Sequence, residues 1–433
     1  MAAASEPTPG AGAHNGHGTF GRWYALGLLT LAYAAHAMDR GMPGILVEPV
    51  RREFHLKDAQ LGLFTGVGYG VAFAVAILPL GYLSDRTNRR NFLAAILIVW
   101  SAFTTLGGVT RSFAQLALTR IGVGAAESGA SPVIIPLLTD LFPFGRRGAA
   151  TGILYGGVSL GVVLGAALGG YLAAEHGWRA ALFLVGLPGV IVALLILFTI
   201  KDPPRGGVGA SPEPPPTFAE VIRFLASEPA VVCIIVACAL IGLILIALSA
   251  WSSSFFIRVY GLSLKQTGLI LGLPGLCGLV SPPFWGWLAD RLAKRHGALP
   301  LTLTWATNLT AVAASLIWLF VPYLPLAIAG FVVGDLLRQG YPALAFPVVM
   351  ERTPAKMRGV VMSTLQLTTN LVGFGFGPVM LGALSDYYGG GRSIRYAMAD
   401  ALLITLLVVA LLIAAVRLIR GAPDRALAPT VSA

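Results

Sequence analysis

Long apolar runs separated by short polar segments dominate the chain. A membrane-spanning helix needs about 20 mostly apolar residues to cross roughly 30 Å of hydrocarbon. Twelve runs suit this length, so the pattern predicts an all-α membrane protein with twelve transmembrane helices, numbered here as spans one to twelve. Their approximate bounds are residues 21–46, 58–84, 91–109, 113–140, 147–174, 178–200, 229–259, 264–289, 299–320, 323–351, 357–385 and 394–419.

The polar segment between spans six and seven divides the chain into two parts. Its sequence, KDPPRGGVGASPEPPP at 201–216, is typical of a linker, and the following TFAEVIRFLAS predicts a short interfacial helix. Both ends of the chain are rich in Ala, Gly and Pro, which indicates disorder. The predicted organisation is a disordered tail (1–20), a six-helix bundle (21–200), a cytoplasmic linker with its short helix (201–228), a second six-helix bundle (229–420) and a tail (421–433).

An internal repeat relates the two bundles. GYLSDRTNRR at 81–90 recurs as GWLADRLAKR at 286–295, an offset of 205 residues. FGRRGAATG at 144–152 matches AKMRGVVMS at 355–363, so that Arg147 corresponds to Arg358 at an offset of 211. The repeats run in the same direction, which predicts two pseudo-symmetric six-helix bundles with a substrate site at the midplane between them.

Composition and charge support a membrane protein and exclude several other classes. Hydrophobic residues make up 56% of the chain and charged residues only 11%, whereas a soluble domain has about 25% charged residues. The net charge of +11 does not indicate a nucleic-acid partner, because the basic residues lie in short groups between apolar runs. No nucleophile–base set, metal motif or cofactor motif is present in the sequence, so we expect neither an enzyme nor a bound metal or cofactor.

The distribution of Lys and Arg predicts the orientation in the membrane. If the N-terminus is cytoplasmic, the cytoplasmic segments hold 18 of the 30 basic residues and the opposite loops hold nine. Cytoplasmic loops carry the excess of basic residues in membrane proteins. We therefore predict a multi-pass protein of the cell membrane with both termini in the cytoplasm. We also expect it to be a monomer.

Four ionisable residues of the first bundle lie inside predicted spans. Asp39 and Arg40 are in span one, and Arg120 and Glu127 are in span four. A charge at bilayer depth costs at least about 2.5–3.5 kcal/mol, so such residues are candidates for function. Arg120 and Glu127 are seven residues apart, which places them on one helix face about 10.5 Å from each other, and a facing helix could insert Asp39 or Arg40 between them. The set can be a static network or a proton site, since burial disfavours the charged form of a carboxyl group.

The second bundle has one comparable pair. Asp335 and Arg338 lie in span ten at a spacing that lets them pair on one helix. We take them as candidate substrate-binding residues, with a structural role as the alternative.

The sequence GYLSDRTNRR resembles the loop signature between spans two and three of the major facilitator superfamily, with Asn88 where that family usually has Gly. The second copy at 286–295 strengthens the resemblance. It implies a secondary transporter of twelve helices that works by alternating access.

The signature also contains a candidate gate. Asp85 ends span two, where it can approach the N-terminus of span eleven near Met357, and a helix N-terminus stabilises a carboxylate. Arg86 and Arg90 are predicted to pair with Asp140 at the end of span four. The predicted gating residues, including those of the second copy, are Asp85, Arg86, Arg90, Asp140, Asp290 and Arg291.

Three further segments resemble the spinster-like branch of the same superfamily: AHAMDR, RIGVGAAESGASPVIIPLLTDLF and LVGLPGVIVALLILFTIKDPPRGG. That resemblance implies proton-coupled transport of an amphipathic anion, such as a lysophospholipid or a sphingolipid phosphate, through the bilayer. It implies that Asp39 and Glu127 take up protons, and that Arg40 and Arg120 hold the anionic head or pair with those acids.

Other substrates fit the same residues. Organic-anion symporters of the superfamily share a similar acid–arginine pair in span one and a similar run in span four, although here Glu127 is followed by Ser128. Small organic anions, such as sugar acids and dicarboxylates, are therefore the alternative, together with a drug-type exporter. For an amphipathic substrate we expect the anionic head in the first bundle and the apolar tail in the second.

Overall fold

A computed structural model of the protein describes residues 19–202, 217–293 and 299–421. The predicted tails fall almost entirely outside these residues, as does the linker at 203–216. Every regular element in the described ranges is helical. The first half contains α1 (Thr19–Phe54), α2 (Asp58–Gly62), a π-helical turn (Leu63–Val67), α3 (Gly68–Arg86), α4 (Arg89–Gly107), α5 (Phe113–Glu127), α6 (Ala130–Leu141) and α7 (Phe144–Thr199).

The second half follows a short amphipathic helix, α8, at the place where the sequence predicts one. Thr217 and Glu220 form a reciprocal capping box that fixes its start. The remaining helices are α8 (Phe218–Ser227), α9 (Pro229–Tyr260), α10 (Leu264–Ala293), α11 (Leu299–Phe320), α12 (Leu324–Arg338), α13 (Tyr341–Arg352), α14 (Arg358–Tyr387) and α15 (Ile394–Gly421).

The helices form twelve spans in two bundles of six. In the described residues, nine helical stretches are long and apolar enough to cross a membrane. One of them, Arg146–Thr199, holds two spans, because Gly177 adopts a positive φ of 81° and kinks α7 there. The charged α1 and the broken α12–α13 supply the other two spans. The twelve-span prediction is confirmed, although helix bounds differ: α1 begins at Thr19 and continues to Phe54, beyond the predicted residue 46.

Helix breaks repeat between the two halves. Span four is divided into α5 and α6 directly after Glu127, and span ten is divided into α12 and α13 directly after Arg338. The four helix bounds in one half match those in the other at an offset of 211 residues.

The paired arginines of the repeat make the same contacts. Arg147 donates to the carbonyls of Thr139 and Phe142, and Arg358 donates to the carbonyls of Met350 and Thr353. These are the residues eight and five positions earlier in each case. The arginines thereby satisfy carbonyls at the end of the preceding helix.

The two halves approach closely at the face opposite the termini. A Cβ atom at Gly62 of span two would lie 2.5 Å from the Cα of Val379 in span eleven, so only glycine allows this approach. Gly70 lies further along span two, after the π-helical turn. A Cβ atom at Gly70 would lie 2.8 Å from the backbone nitrogen of Gly375. Gly148 and Gly359, towards the termini face, have open space beside them. The contact between the halves is therefore tight on the opposite face.

Candidate functional site

The buried charges of the first half come together in the middle of the bundle. Asp39 of α1 is 3% exposed and faces Arg120 of α5, with 3.3 Å between the carboxylate oxygen and Nη1. Thr104 of α4 donates its hydroxyl to the other carboxylate oxygen at 2.6 Å. Asp39 therefore has a charged partner and a neutral donor, each from a different helix.

The neighbouring residue of α1 faces the second acid. Arg40 Nε lies 3.9 Å from Glu127 Oε2, and His36 Nδ1 lies 3.6 Å from the same oxygen. Between the two ions, Tyr69 of α3 donates its hydroxyl to Glu127 at 2.6 Å and accepts from Arg40 Nε at 2.7 Å. The structure thus brings together all four charges that the sequence predicted, with α1 as the facing helix.

Several polar atoms of this cluster lack partners. Arg40 Nη2, Arg120 Nε and Glu127 Oε1 are buried and have no hydrogen-bond partner among the described residues. Buried polar atoms are nearly always hydrogen-bonded, and exceptions concentrate where a ligand, a water or a proton belongs. The unused nitrogen of a guanidinium group is a donor that an anion can fill.

Aromatic rings surround Arg40. Its guanidinium carbon lies 4.5 Å from the centroid of Phe374, 5.3 Å from that of Tyr69 and 5.4 Å from that of Phe73. Phe374 belongs to span eleven, in the other half. Arg40 therefore sits at the contact between the halves, with apolar surface next to its charge.

The charged pair of the second half does not form the predicted i, i+3 contact. Arg338 donates to the carbonyl of Ala311 at 3.2 Å and to the hydroxyl of Ser315 at 2.9 Å, both on span nine. Asp335 accepts from the amide of Gln339, which also donates to the carbonyl of Pro274. Arg338 therefore bonds to span nine and Asp335 bonds to the next turn of its own span, so the predicted mutual pair is not formed. Their part in substrate binding stays a prediction.

At the termini face, the arginine in contact with Asp140 is Arg89, whereas the sequence predicted Arg86 and Arg90. Arg89 Nη1 lies 2.5 Å from Asp140. Arg90 donates to the carbonyl of Ile200 at 3.2 Å, and Arg86 lies over the ring of Tyr82 at 4.0 Å.

The second copy of the signature repeats one of these contacts. Arg291 lies 4.9 Å from the ring centroid of Trp287, four residues earlier. Arg86 makes the same kind of contact with Tyr82, also four residues earlier, at 4.0 Å. Asp290 is exposed. The side chain of Asp85 lies outside the described part of the structure, so the latch between spans two and eleven stays a prediction.

A second charged cluster closes the opposite face. Arg258 of span seven donates to Glu48 at 2.6 Å and to both oxygens of Asp58, at 2.6 and 2.8 Å. Ser385 donates to Asp58 at 2.6 Å, and Arg51 lies 3.3 Å from it. We call this group, together with Asp386, the opposite-face network.

Asp386 extends the network to the backbone. Its two carboxylate oxygens accept the N–H groups of Asp58 and Ala59, at 3.0 and 2.8 Å. These are the first N–H groups of α2, which have no partner within the helix, and a carboxylate there is also stabilised by the helix dipole. Span eleven thus caps span two across the contact between the halves.

Comparisons with known proteins fit this architecture. The profile of the Major Facilitator Superfamily matches residues 29–296, and that of an MFS_1-like family matches residues 249–421. The chain is 29% identical over 371 residues to an MFS-type efflux pump of Mycolicibacterium smegmatis, covering 86% of each protein. It is 23% identical over 378 residues to a probable galactarate/D-glucarate transporter of Bacillus subtilis, covering 78% of this chain and 80% of that protein.

A similar solved structure is that of a bacterial homologue of the human lysosomal transporter Spinster, in an inward-facing and unoccupied conformation. The two share 24% identity and superpose with a TM-score of 0.78 over 93% of this chain and 97% of the other. This likeness confirms the twelve-helix fold in two halves.

Proposed function

The chain belongs to the major facilitator superfamily, and from that premise we propose that this membrane transporter is a proton-coupled carrier of organic anions working by alternating access. One observation carries the proposal. Two arginines, the half-buried Arg40 and the buried Arg120, each keep a buried nitrogen without a partner in the described structure, and each stands beside a buried acid.

The arginines account for the anion. A guanidinium group is always charged and its fork of donors matches carboxylate and phosphate oxygens. Arg40 also lies at the contact between the two halves. A ligand bound there can be reached from one side of the membrane in one conformation of the transporter and from the other side in the other conformation. A head group bound here would fill the unused donors.

The acids account for the proton. When ionised, Asp39 and Glu127 neutralise the arginines and compete with the substrate for them. Protonation removes that competition and makes the arginines available to an anion. Loss of the protons then favours release, so the proton and the substrate are coupled without touching each other.

We propose an amphipathic anion, such as a lysophospholipid or a sphingolipid phosphate, as the substrate. The rings of Tyr69, Phe73 and Phe374 around Arg40 support it, because they place apolar surface next to the charge. Small organic acids are a second candidate. Relatives named as probable galactarate/D-glucarate and sulfoacetate transporters, 23% and 29% identical, favour it.

Binding measurements on purified protein in lipid nanodiscs separate these substrates. The ligands are lysophosphatidate and sphingosine phosphate, galactarate and tartrate, and a neutral lysolipid analogue. We expect anionic ligands to bind the wild type more tightly as the pH falls, and to bind a variant with Arg40→Met and Arg120→Met poorly. Arg179→Met serves as the control, because Arg179 is a partly exposed arginine that pairs with Glu53 away from this cluster. Equal binding of neutral and anionic ligands, or weaker binding at low pH, would favour a drug-type exporter.

We also propose that the protein lies in the cell membrane with its termini face in the cytoplasm. The two-to-one excess of Lys and Arg on that side supports this orientation. Single cysteines at exposed Arg111 and Arg420 test it: a membrane-impermeant thiol reagent added to intact cells should label only the former.

A further inference from the structure

Tyr69 joins the proposed proton site to the proposed anion site. Its side chain is buried, with 3% of the residue exposed. The hydroxyl lies 2.6 Å from Glu127 Oε2 and 2.7 Å from Arg40 Nε, whereas Arg40 Nε and Glu127 Oε2 are 3.9 Å apart. The contact between the two ions therefore runs through one hydroxyl group.

That hydroxyl has a single hydrogen. While Glu127 is ionised, its carboxylate can only accept, so Tyr69 must donate to it. Arg40 Nε can only donate, so the phenol oxygen accepts from it. With both contacts made, the hydroxyl has no hydrogen left for another acceptor.

Protonation of Glu127 changes this arrangement. A proton on Oε2 makes that oxygen a donor towards the phenol oxygen of Tyr69 at 2.6 Å. A proton on Oε1 would leave Oε1–H as the buried donor without an acceptor, whereas a proton on Oε2 passes that unsatisfied donor to the Tyr69 hydroxyl beside Arg40, where an anion can accept from it. The phenol oxygen then accepts from Glu127 and Arg40 together, and its own hydrogen turns away from both.

Resting on the proposed function, we infer that Tyr69 is a positioning residue that couples proton uptake at Glu127 to anion binding at Arg40 by reversing the direction of its hydrogen bond. In the protonated form, the hydroxyl hydrogen of Tyr69 and Arg40 Nη2 are neighbouring donors without acceptors. In the ionised form, only the guanidinium nitrogen is available. An anion therefore gains a second donor only after the proton has bound.

No other group in the described residues bonds to both ions. Span one faces Glu127 with Arg40 and His36, and His36 Nδ1 has no hydrogen-bond partner there at 3.6 Å. Arg120, two turns earlier on span four, is paired with Asp39. From the other half the cluster meets Phe374, which carries no charge.

The backbone places the Tyr69 hydroxyl at the contact between spans two and eleven. Tyr69 follows the π-helical turn Leu63–Val67, a type of turn that often occurs at functional sites. Its ring centroid lies 5.5 Å from that of Phe374 in span eleven, and the next residue, Gly70, meets the span-eleven backbone. A rearrangement of spans two and eleven would therefore move this hydroxyl.

The substitution Tyr69→Phe tests the inference, because it removes the hydroxyl and keeps the ring. Binding of lysophosphatidate and galactarate is measured from pH 5 to pH 8. We expect the variant to lose roughly 10- to 100-fold in affinity at low pH and to keep the weak affinity of high pH, which flattens the pH profile. The matched control is Tyr33→Phe, which is 5% exposed in the same half with a hydroxyl bonded to neutral Ser131, and it should keep the wild-type profile.

The variant Glu127→Gln gives an independent reading if Tyr69→Phe folds poorly. Its amide mimics the protonated acid, so binding at high pH should be tighter than in the wild type, and only the pH dependence that comes from Asp39 should remain; the double variant Asp39→Asn, Glu127→Gln should bind nearly independently of pH. An infrared difference spectrum adds a second readout: the carboxyl C=O band assigned by its loss in Glu127→Gln should shift in Tyr69→Phe and not in Tyr33→Phe.

Different failures have different meanings. If the wild type binds neither probe, the proposed function is wrong. If the wild type binds with a pH dependence that Tyr69→Phe retains at lower affinity, or if Glu127→Gln binds weakly at all pH values, the proposed function stands and the coupling through Tyr69 is wrong.

Discussion

Removal of Arg258 is expected to open the face opposite the termini. Its guanidinium group comes from span seven and holds Glu48 and Asp58, which come from spans one and two. These contacts cross between the halves, so they exist only while this face is closed. A contact made in one state biases the equilibrium towards that state alone.

The structure gives the magnitude of this bias. Arg258 and its two acids have side chains only 1–6% exposed. Removing one partner of such a buried pair costs about 3–5 kcal/mol, because the other charge is left without compensation. Asp58 keeps Arg51 and Ser385, so we take the lower end, about 3 kcal/mol. At 1.4 kcal/mol per factor of ten, Arg258→Ala should shift the ratio of closed to open forms by roughly 100-fold.

Distances between spin labels on the opposite face measure the shift. Cysteines at Arg111 and Arg392, both exposed and one in each half, carry the labels. The control is Arg179→Ala, which removes a 38% exposed arginine paired with Glu53 inside the first half. Such an exposed pair contributes about 0–1 kcal/mol, and its contacts do not cross the halves. An unchanged distribution in Arg258→Ala, or an equal change in Arg179→Ala, would refute the reasoning.

Three further predictions concern other parts of the cycle. Asp39→Asn and Glu127→Gln should each abolish proton-coupled transport in proteoliposomes while the protein still folds, and full transport with intact pH dependence would remove both acids from the coupling role. Asp85→Ala should favour the form open at the termini face, and labels at that end of spans two and eleven should report a longer distance if the latch exists. Gly62→Ala should disfavour closure of the opposite face, because its Cβ atom would lie 2.5 Å from the Cα of Val379; Gly148→Ala, with open space beside it, should leave the distances unchanged.

Much of the fold follows from the sequence because lipid imposes a simple rule. A helix must be apolar over the whole hydrocarbon thickness, so the runs mark the spans. The same rule singles out Asp39 and Glu127, since an ion at that depth is expensive and needs a partner. The apolar runs do not give the helix bounds: α1 continues past residue 46 because its polar end can leave the hydrocarbon while its backbone bonds continue to Phe54.

Other parts of the site carried no signal in the sequence. Tyr69 is one tyrosine in an apolar span, and only the fold brings it to Glu127, 58 positions away. The opposite-face network was missed because Arg258 and Asp58 stand at span ends, where charges normally meet water. Their contact joins residues 200 positions apart. The i, i+3 spacing of Asp335 and Arg338 allowed a pair, but Arg338 bonds to span nine and Asp335 bonds to Gln339, one turn later in its own span.

The break in span four and the break in span ten end on residues of opposite chemistry. Glu127 stands at the first and Arg338 at the same position of the second. A carboxyl group can exchange its proton with water, whereas an arginine keeps its charge at every physiological pH. The two copies of this joint, which share their helix bounds, therefore differ in chemistry. The joint in the second half is a permanent charge tied to span nine, and the joint in the first half is the one that we propose to be switched by proton uptake.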